Sequence, residues 1–177
     1  MFLLILRLAL GAYDLRMGAL VQRIIRELNN AKGVDDFGDC IWMASDLIRR
    51  ASSQGYLSGF EAIDREDVSE AEGKEIQSAL LRALPRNTNP RWVGGILSAL
   101  SSSRDPSLKQ LWVDYLAKYL ETLNAVNGVV YTALGALHDL GEPVFESNFS
   151  GRSLTEVERS MDRARRYLHE RGITIPW

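Results

Sequence analysis

One phrase in the second half of the chain occurs twice, and it restricts the possible folds more than any other feature. Ala99-Leu100, four residues and then Asp105-Pro106 is matched 37 residues later by Ala136-Leu137, four residues and then Glu142-Pro143. The register holds upstream, where Val93 aligns with Val130, Ile96 with Ala133 and Leu97 with Leu134. Each copy predicts an apolar helix, a tight acid-proline turn and a second helix. In such a turn the acidic side chain can cap the next helix, while proline takes its first turn, where a missing N–H costs nothing. Gly94, Gly95, Gly128 and Gly135 each disfavour a helix by about 1 kcal/mol. Their recurrence in the first helix of each copy predicts close backbone packing between stacked hairpins.

The rest of the chain also reads as helix. Apolar residues at helical spacing run through Leu15, Leu20, Val21, Ile24, Ile25 and Leu28 and stop at a break over 29–33. The ten residues Met1 to Leu10 are too short to span a bilayer, which needs about 20. They lack the basic start of a secretory signal and contain Arg7. We expect one long first helix, or two joined at Gly11; a signal peptide is the alternative, and Met17 is a second candidate start. Asp35 or Asp36 can cap a second helix carrying Ile41, Trp42, Ala44, Ser45, Leu47 and Ile48. Residues 55–68 read as a loop with a short helical turn. Ser69-x-x-Glu72 is a capping box that opens a helix with a core face of Ile76, Ala79, Leu80, Ala83 and Leu84. Residues 85–90 (PRNTNP) form the clearest break. Ser153-x-x-Glu156 is a further capping box, and it opens a charged helix that Gly172 can close. The apolar tail 173–177 is expected to pack back on the body.

The stretches Trp92 to Leu120 and Val129 to Pro143 resemble HEAT and HEAT-like repeats. The phrase Ala133-Leu134-Gly135-Ala136-Leu137 followed by Gly141-Glu142-Pro143 is similar to the bacterial HEAT-like pattern. The second unit departs from it, because residues 146–153 (ESNFSGRS) break the expected second helix. The resemblance implies an all-α fold: a short α-solenoid of HEAT-like hairpins with a divergent N-terminal helical part. The expected organisation is a single domain over 1–177. Within it, 1–85 form the divergent helices, 86–145 two hairpins, and 146–177 a C-terminal capping helix and tail.

Composition bounds the function. The formal net charge is −2, so no global basic field attracts nucleic acid or anionic lipid. Residues 86–177 carry eleven Lys or Arg against ten Asp or Glu, so the repeat half alone is no more basic than +1. A lone cysteine, Cys40, excludes an intrachain disulfide and fits a reducing cytosol. Beside Ile41, Trp42 and Met43 it reads as a small buried apolar residue.

No phosphate-binding glycine loop, Cys/His ligand set or nucleophile elbow occurs. We expect no enzyme, no cofactor and no metal site; His138 reads as a polar residue at a helix end. HEAT-like repeats also occur in phycobilin lyases and in DNA glycosylases, but a glycosylase needs a cationic groove. The most suggestive feature is charge. Residues 61–75 hold seven acids, among them Glu61, Asp64, Glu66, Asp67 and Glu70, against Arg65 and Lys74. Such a segment is a solvated loop or a patch that steers a basic partner. Trp112, Tyr115 and Tyr119 share one helix face, as core residues or as anchors for a partner. Small acidic helical proteins of HEAT-like character resemble bacterial immunity proteins. That resemblance implies a cytoplasmic protein that binds and occludes a basic toxin domain, contacting neither nucleic acid nor membrane. A HEAT-like adaptor or scaffold is the alternative.

Overall fold

A computed structural model of the protein describes residues 18–30, 38–52, 58, 61–64, 67–121, 128–145, 154–173 and 175, with the side chains of 62, 64 and 154–158 excepted. Among these residues there are seven α-helices of at least eleven residues, one single-turn α-helix and two 3₁₀ turns, with no strand. The backbone divides into two compact units, Met1–Arg86 and Asn87–Trp177, with the boundary inside the proline-bounded segment.

In the first unit, α1 (Ala19–Asn30), α2 (Gly38–Ser52) and α4 (Glu70–Ala83) pack on one another, and the single turn α3 (Glu61–Asp64) lies against α2. Val21, Ile24 and Leu28 are the buried stripe of α1, at the i, i+3, i+7 spacing of a helix face. The capping box of α4 forms. The Ser69 hydroxyl accepts from the Glu72 N–H at 3.3 Å, and the Glu72 carboxylate accepts from the Ser69 N–H at 2.8 Å. Glu72 also accepts from the Gly18 N–H at 2.9 Å, so the carboxylate that starts α4 fastens the start of α1 as well. Burial pushes the Glu72 carboxyl up, but the hydrogen bonds from Ser69 and Gly18 outweigh this and leave it below the ordinary glutamate range. A Cβ on Gly73 would lie 2.6 Å from that of Ala51, so glycine is what lets α2 and α4 approach there. The expected core face of α4 is buried throughout.

The buried stripe of α2 is Cys40, Ile41, Ala44, Ser45, Leu47 and Ile48, and Trp42 projects from the opposite side, 70% exposed. Cys40 is buried, its thiol is 3.7 Å from the Ile24 carbonyl, and burial with the nearby Glu27 charge pushes its pKa up to about 12.

The second unit contains the repeat. It comprises α5 (Pro90–Ser101), α6 (Lys109–Tyr119), α7 (Gly128–Asp139) and α8 (Leu154–His169). Helix α7 packs against both α5 and α6. The apolar helix positions aligned by the 37-residue register are buried in both copies: Val93 with Val130, Ile96 with Ala133, Leu97 with Leu134, Leu100 with Leu137. A Cβ on Gly94 would sit 3.3 Å from the Gly128 carbonyl carbon, so the backbones of α5 and α7 are close there. Arg104 (φ 49°) and Gly141 (φ 82°), one repeat apart, both take the left-handed conformation.

The acid-proline turns diverge. The Asp105 carboxylate accepts from the Ser107 N–H at 2.9 Å, and Pro106 opens a 3₁₀ turn (Pro106–Leu108) leading into α6, as the motif predicts. Glu142 caps no helix among the described residues. Its carboxylate is paired with the Lys109 ammonium and with Arg171 at 2.5 Å, and it accepts from the Tyr167 hydroxyl at 3.0 Å. Gly172 (φ 72°) closes α8: its N–H donates to His169, and that of Ile173 donates to Leu168. The capping signals at Asp35, Asp36 and Ser153, all of 1–17 and most of the apolar tail lie outside the described residues.

Candidate functional site

The acidic segment belongs to the first unit. Glu61 opens the single turn α3 and is exposed, as are Asp67 and Glu70. Glu70 pairs with Lys74 one helical turn on, at 2.7 Å, and that hydrogen bond and charge hold its carboxyl below the ordinary range. The backbone of Asp64 ends α3, while its side chain and all of Glu66 lie outside the described residues. Glu70 and Glu72 lie in the first turn of α4, where the helix dipole favours acids. Asp67 precedes the helix, and Val68 beside it is buried, so the backbone is held at this point.

The aromatic trio belongs to the second unit and divides by side. The buried stripe of α6 with its leading turn is Leu108, Trp112, Val113, Leu116 and Leu120. Trp112 is 2% exposed and is core, so it is not available to a partner in this fold. Tyr115 and Tyr119 are on one margin of that stripe and are half-buried, with parallel rings 6.1 Å apart. The Lys118 ammonium is 5.9 Å from the Tyr115 ring and 5.3 Å from that of Tyr119. Burial, and then the neighbouring Tyr119, raise the Tyr115 hydroxyl above its ordinary value.

Among the described residues two large aromatic side chains are exposed. One is Trp42. The other is Tyr131 on α7, 50% exposed. Near Tyr131, Pro90, Arg91, Gly94, Gly95, Ser98, Gly128 and Thr132 line a solvent-open cleft of about 470 Å³ between α5 and α7. Three of its lining residues are glycines. Arg91 lies 5.5 Å from the Trp92 ring at its edge.

The signal for Trp42 was present in the sequence. Ile41, Ala44, Ser45 and Ile48 fall at i, i+3, i+4 and i+7, and Trp42 is one residue out of that phase. Along the helix Asp39 precedes it by three residues and Asp46 follows by four, which puts both on the Trp42 face. Asp39 is exposed and Asp46 half-buried.

Among the described residues no group of three His, Cys, Asp or Glu is arranged to hold a metal ion, and no helix is long and apolar enough to cross a membrane. His138 is exposed near the end of α7 and packs edge-on against Phe145, with ring centres 5.4 Å apart. Comparison with known proteins gave no match to a family model, a curated protein or a solved structure.

Proposed function

We propose that this chain is a protein-binding module without catalytic activity, most closely of the immunity type, which binds a basic toxin domain in the cytoplasm and blocks its active site by occlusion. The observation that carries the reading is the exposure of Glu61, Asp67 and Glu70 in a segment where seven acids meet two bases. Exposed charge of one sign raises the encounter rate with a partner of the other sign and repels nucleic acid. Tyr115 and Tyr119, half-buried beside Lys118, offer short-range contacts of the kind that govern dissociation.

We read the second unit as a short HEAT-like solenoid. Support comes from the buried pairs one repeat apart, the left-handed residues Arg104 and Gly141 in the same register, and the close approach of α5 and α7 at Gly94. The open cleft there, near the exposed Tyr131, favours a second reading, a HEAT-like adaptor that holds its partner without inhibiting it.

The test is to express the product of the neighbouring reading frame, purify it, and mix it with this chain at increasing ratios. A basic, nuclease-like protein whose activity disappears at a stoichiometric ratio supports the immunity reading. A partner that binds and stays active favours the adaptor. A partner that does not bind removes the neighbouring product as the target.

A further inference from the structure

We propose that the outer face of α2, centred on Trp42, is a docking surface for an arginine-bearing segment of a protein partner, with the guanidinium stacked on the indole. This rests on the reading of the chain as a binder of basic protein, and it adds an anchor and the residue type that the anchor takes. At 70% exposure, Trp42 is the most exposed large apolar side chain among the described residues. It is held on a well-packed helix whose opposite side is fully buried in Ala44 and Leu47, so the indole is presented by a rigid support.

Chemistry selects the occupant. Tryptophan has the most favourable ring face for a cation, and a guanidinium stacks on it while directing its N–H groups to a neighbouring carboxylate. Asp39 places such a carboxylate one turn away on the same face, and Asp46 adds charge of the same sign one turn beyond. Over residues 35–75 eleven acids face four bases, so the surrounding sequence is electronegative as well. Arg49 and Arg50 stand in the last turn of α2, where the dipole favours cations. They confine the acidic part of the face to the N-terminal portion of the helix, and the incoming cation to Trp42 and Asp39. An isologous second copy would bring Asp39 and Asp46 against their own equivalents, which like charge opposes.

The probe is a short, fluorescently labelled arginine-alanine peptide and its lysine-alanine counterpart, titrated against the full chain at low salt and read by anisotropy. The wild type should bind the arginine peptide more tightly than the lysine peptide. Trp42→Ala should weaken the arginine peptide by about three- to tenfold and abolish the preference. Because Trp42 is exposed, the variant should keep the helical circular dichroism of the wild type; Trp42→Phe, which keeps a ring face, should restore part of the preference. Asp39→Asn should weaken both peptides and keep the preference. Equal binding of both peptides by wild type and Trp42→Ala overturns the proposal. If that occurs while charge reversal in 64–70 still weakens both peptides, the basic-partner reading survives and only the Trp42 anchor falls. If neither peptide binds the wild type at low salt, both fall. Self-association that Trp42→Ala abolishes also overturns it and assigns the face to a second copy.

Discussion

The Tyr167 hydroxyl donates a 3.0 Å hydrogen bond to the Glu142 carboxylate, tying the C-terminal helix to the turn that ends α7. Glu142 is only 12% exposed at its side chain and also meets Lys109 and Arg171, while the Arg171 guanidinium lies 3.6 Å from the Tyr167 ring centre. One carboxylate thus joins the start of α6, the end of α7 and the end of α8. Tyr167→Phe removes one donor and leaves both cations paired, so it should cost about 1 kcal/mol. Glu142→Ala leaves a buried hydroxyl and two cations without their acceptor, and should cost about 1–3 kcal/mol by urea denaturation. Burial and the Glu142 hydrogen bond push the Tyr167 hydroxyl from 10.0 up to about 12. A raised pKa means that the stabilisation is complete below the unfolded value and is lost as pH rises through the folded one. Wild type should therefore lose stability between about pH 10 and pH 12, and Tyr167→Phe should lose less over that window.

The acid limb belongs to Glu72 and Glu142. Both carboxyls are held below the ordinary glutamate range, Glu142 chiefly by its hydrogen bond with Lys109 and Glu72 by hydrogen bonds that outweigh its burial. For a lowered pKa the stabilisation is present above the unfolded value and is lost as pH falls through the folded one. Glu72→Gln should flatten the fall in melting temperature on acidification below the ordinary glutamate range, while lowering stability at neutral pH. An unchanged pH profile would remove Glu72 from the acid response.

Leu100 and Leu137, equivalent in the repeat, are both fully buried. Alanine at either should cost about 2–5 kcal/mol, as for other large-to-small core changes. Losses below about half a kcal/mol at both positions would show that the repeat does not form a packed layer.

Arg104 and Gly141 take the same left-handed backbone with different side chains. A non-glycine residue there is strained by about 1–2 kcal/mol. Gly141→Ala should lower stability by about 1 kcal/mol. Arg104→Gly relieves strain but loosens the unfolded chain, so its net effect should be within about 1 kcal/mol of zero. Equal losses from both substitutions would contradict this account of the repeat.

What was legible in the sequence follows the range of the interactions. The Ser69–Glu72 box and the Asp105-Pro106 turn close within three residues, so their spacing alone determines them. Glu142 carries the same acid-proline signal as Asp105, but its partners are 33, 25 and 29 residues away, and no local pattern identifies them. The hydrogen bond that Glu72 accepts from Gly18 is remote in the same sense. Trp42 is legible from phase alone: it stands one residue out of the 41, 44, 45, 48 register, and that puts it outside. Trp112 and the two tyrosines share a helix face by spacing. The buried stripe passes through Trp112 and only grazes the tyrosines, and that offset is set by the packing of α6 on α7.

On the proposed function, the acids of the first unit speed the encounter with a basic partner. Reversing Asp64, Glu66, Asp67 and Glu70 to lysine and measuring association and dissociation rates with the purified partner at low and high salt isolates that contribution. Exposed charges act over about 8 Å at physiological ionic strength, and they govern encounter more than residence. The quadruple variant should keep its helical circular dichroism, associate about tenfold more slowly at low salt with a weakened salt dependence, and dissociate at the wild-type rate. An association rate equal to that of the wild type at both salt concentrations would contradict the account and leave residues 61–75 as a solvated stretch of chain.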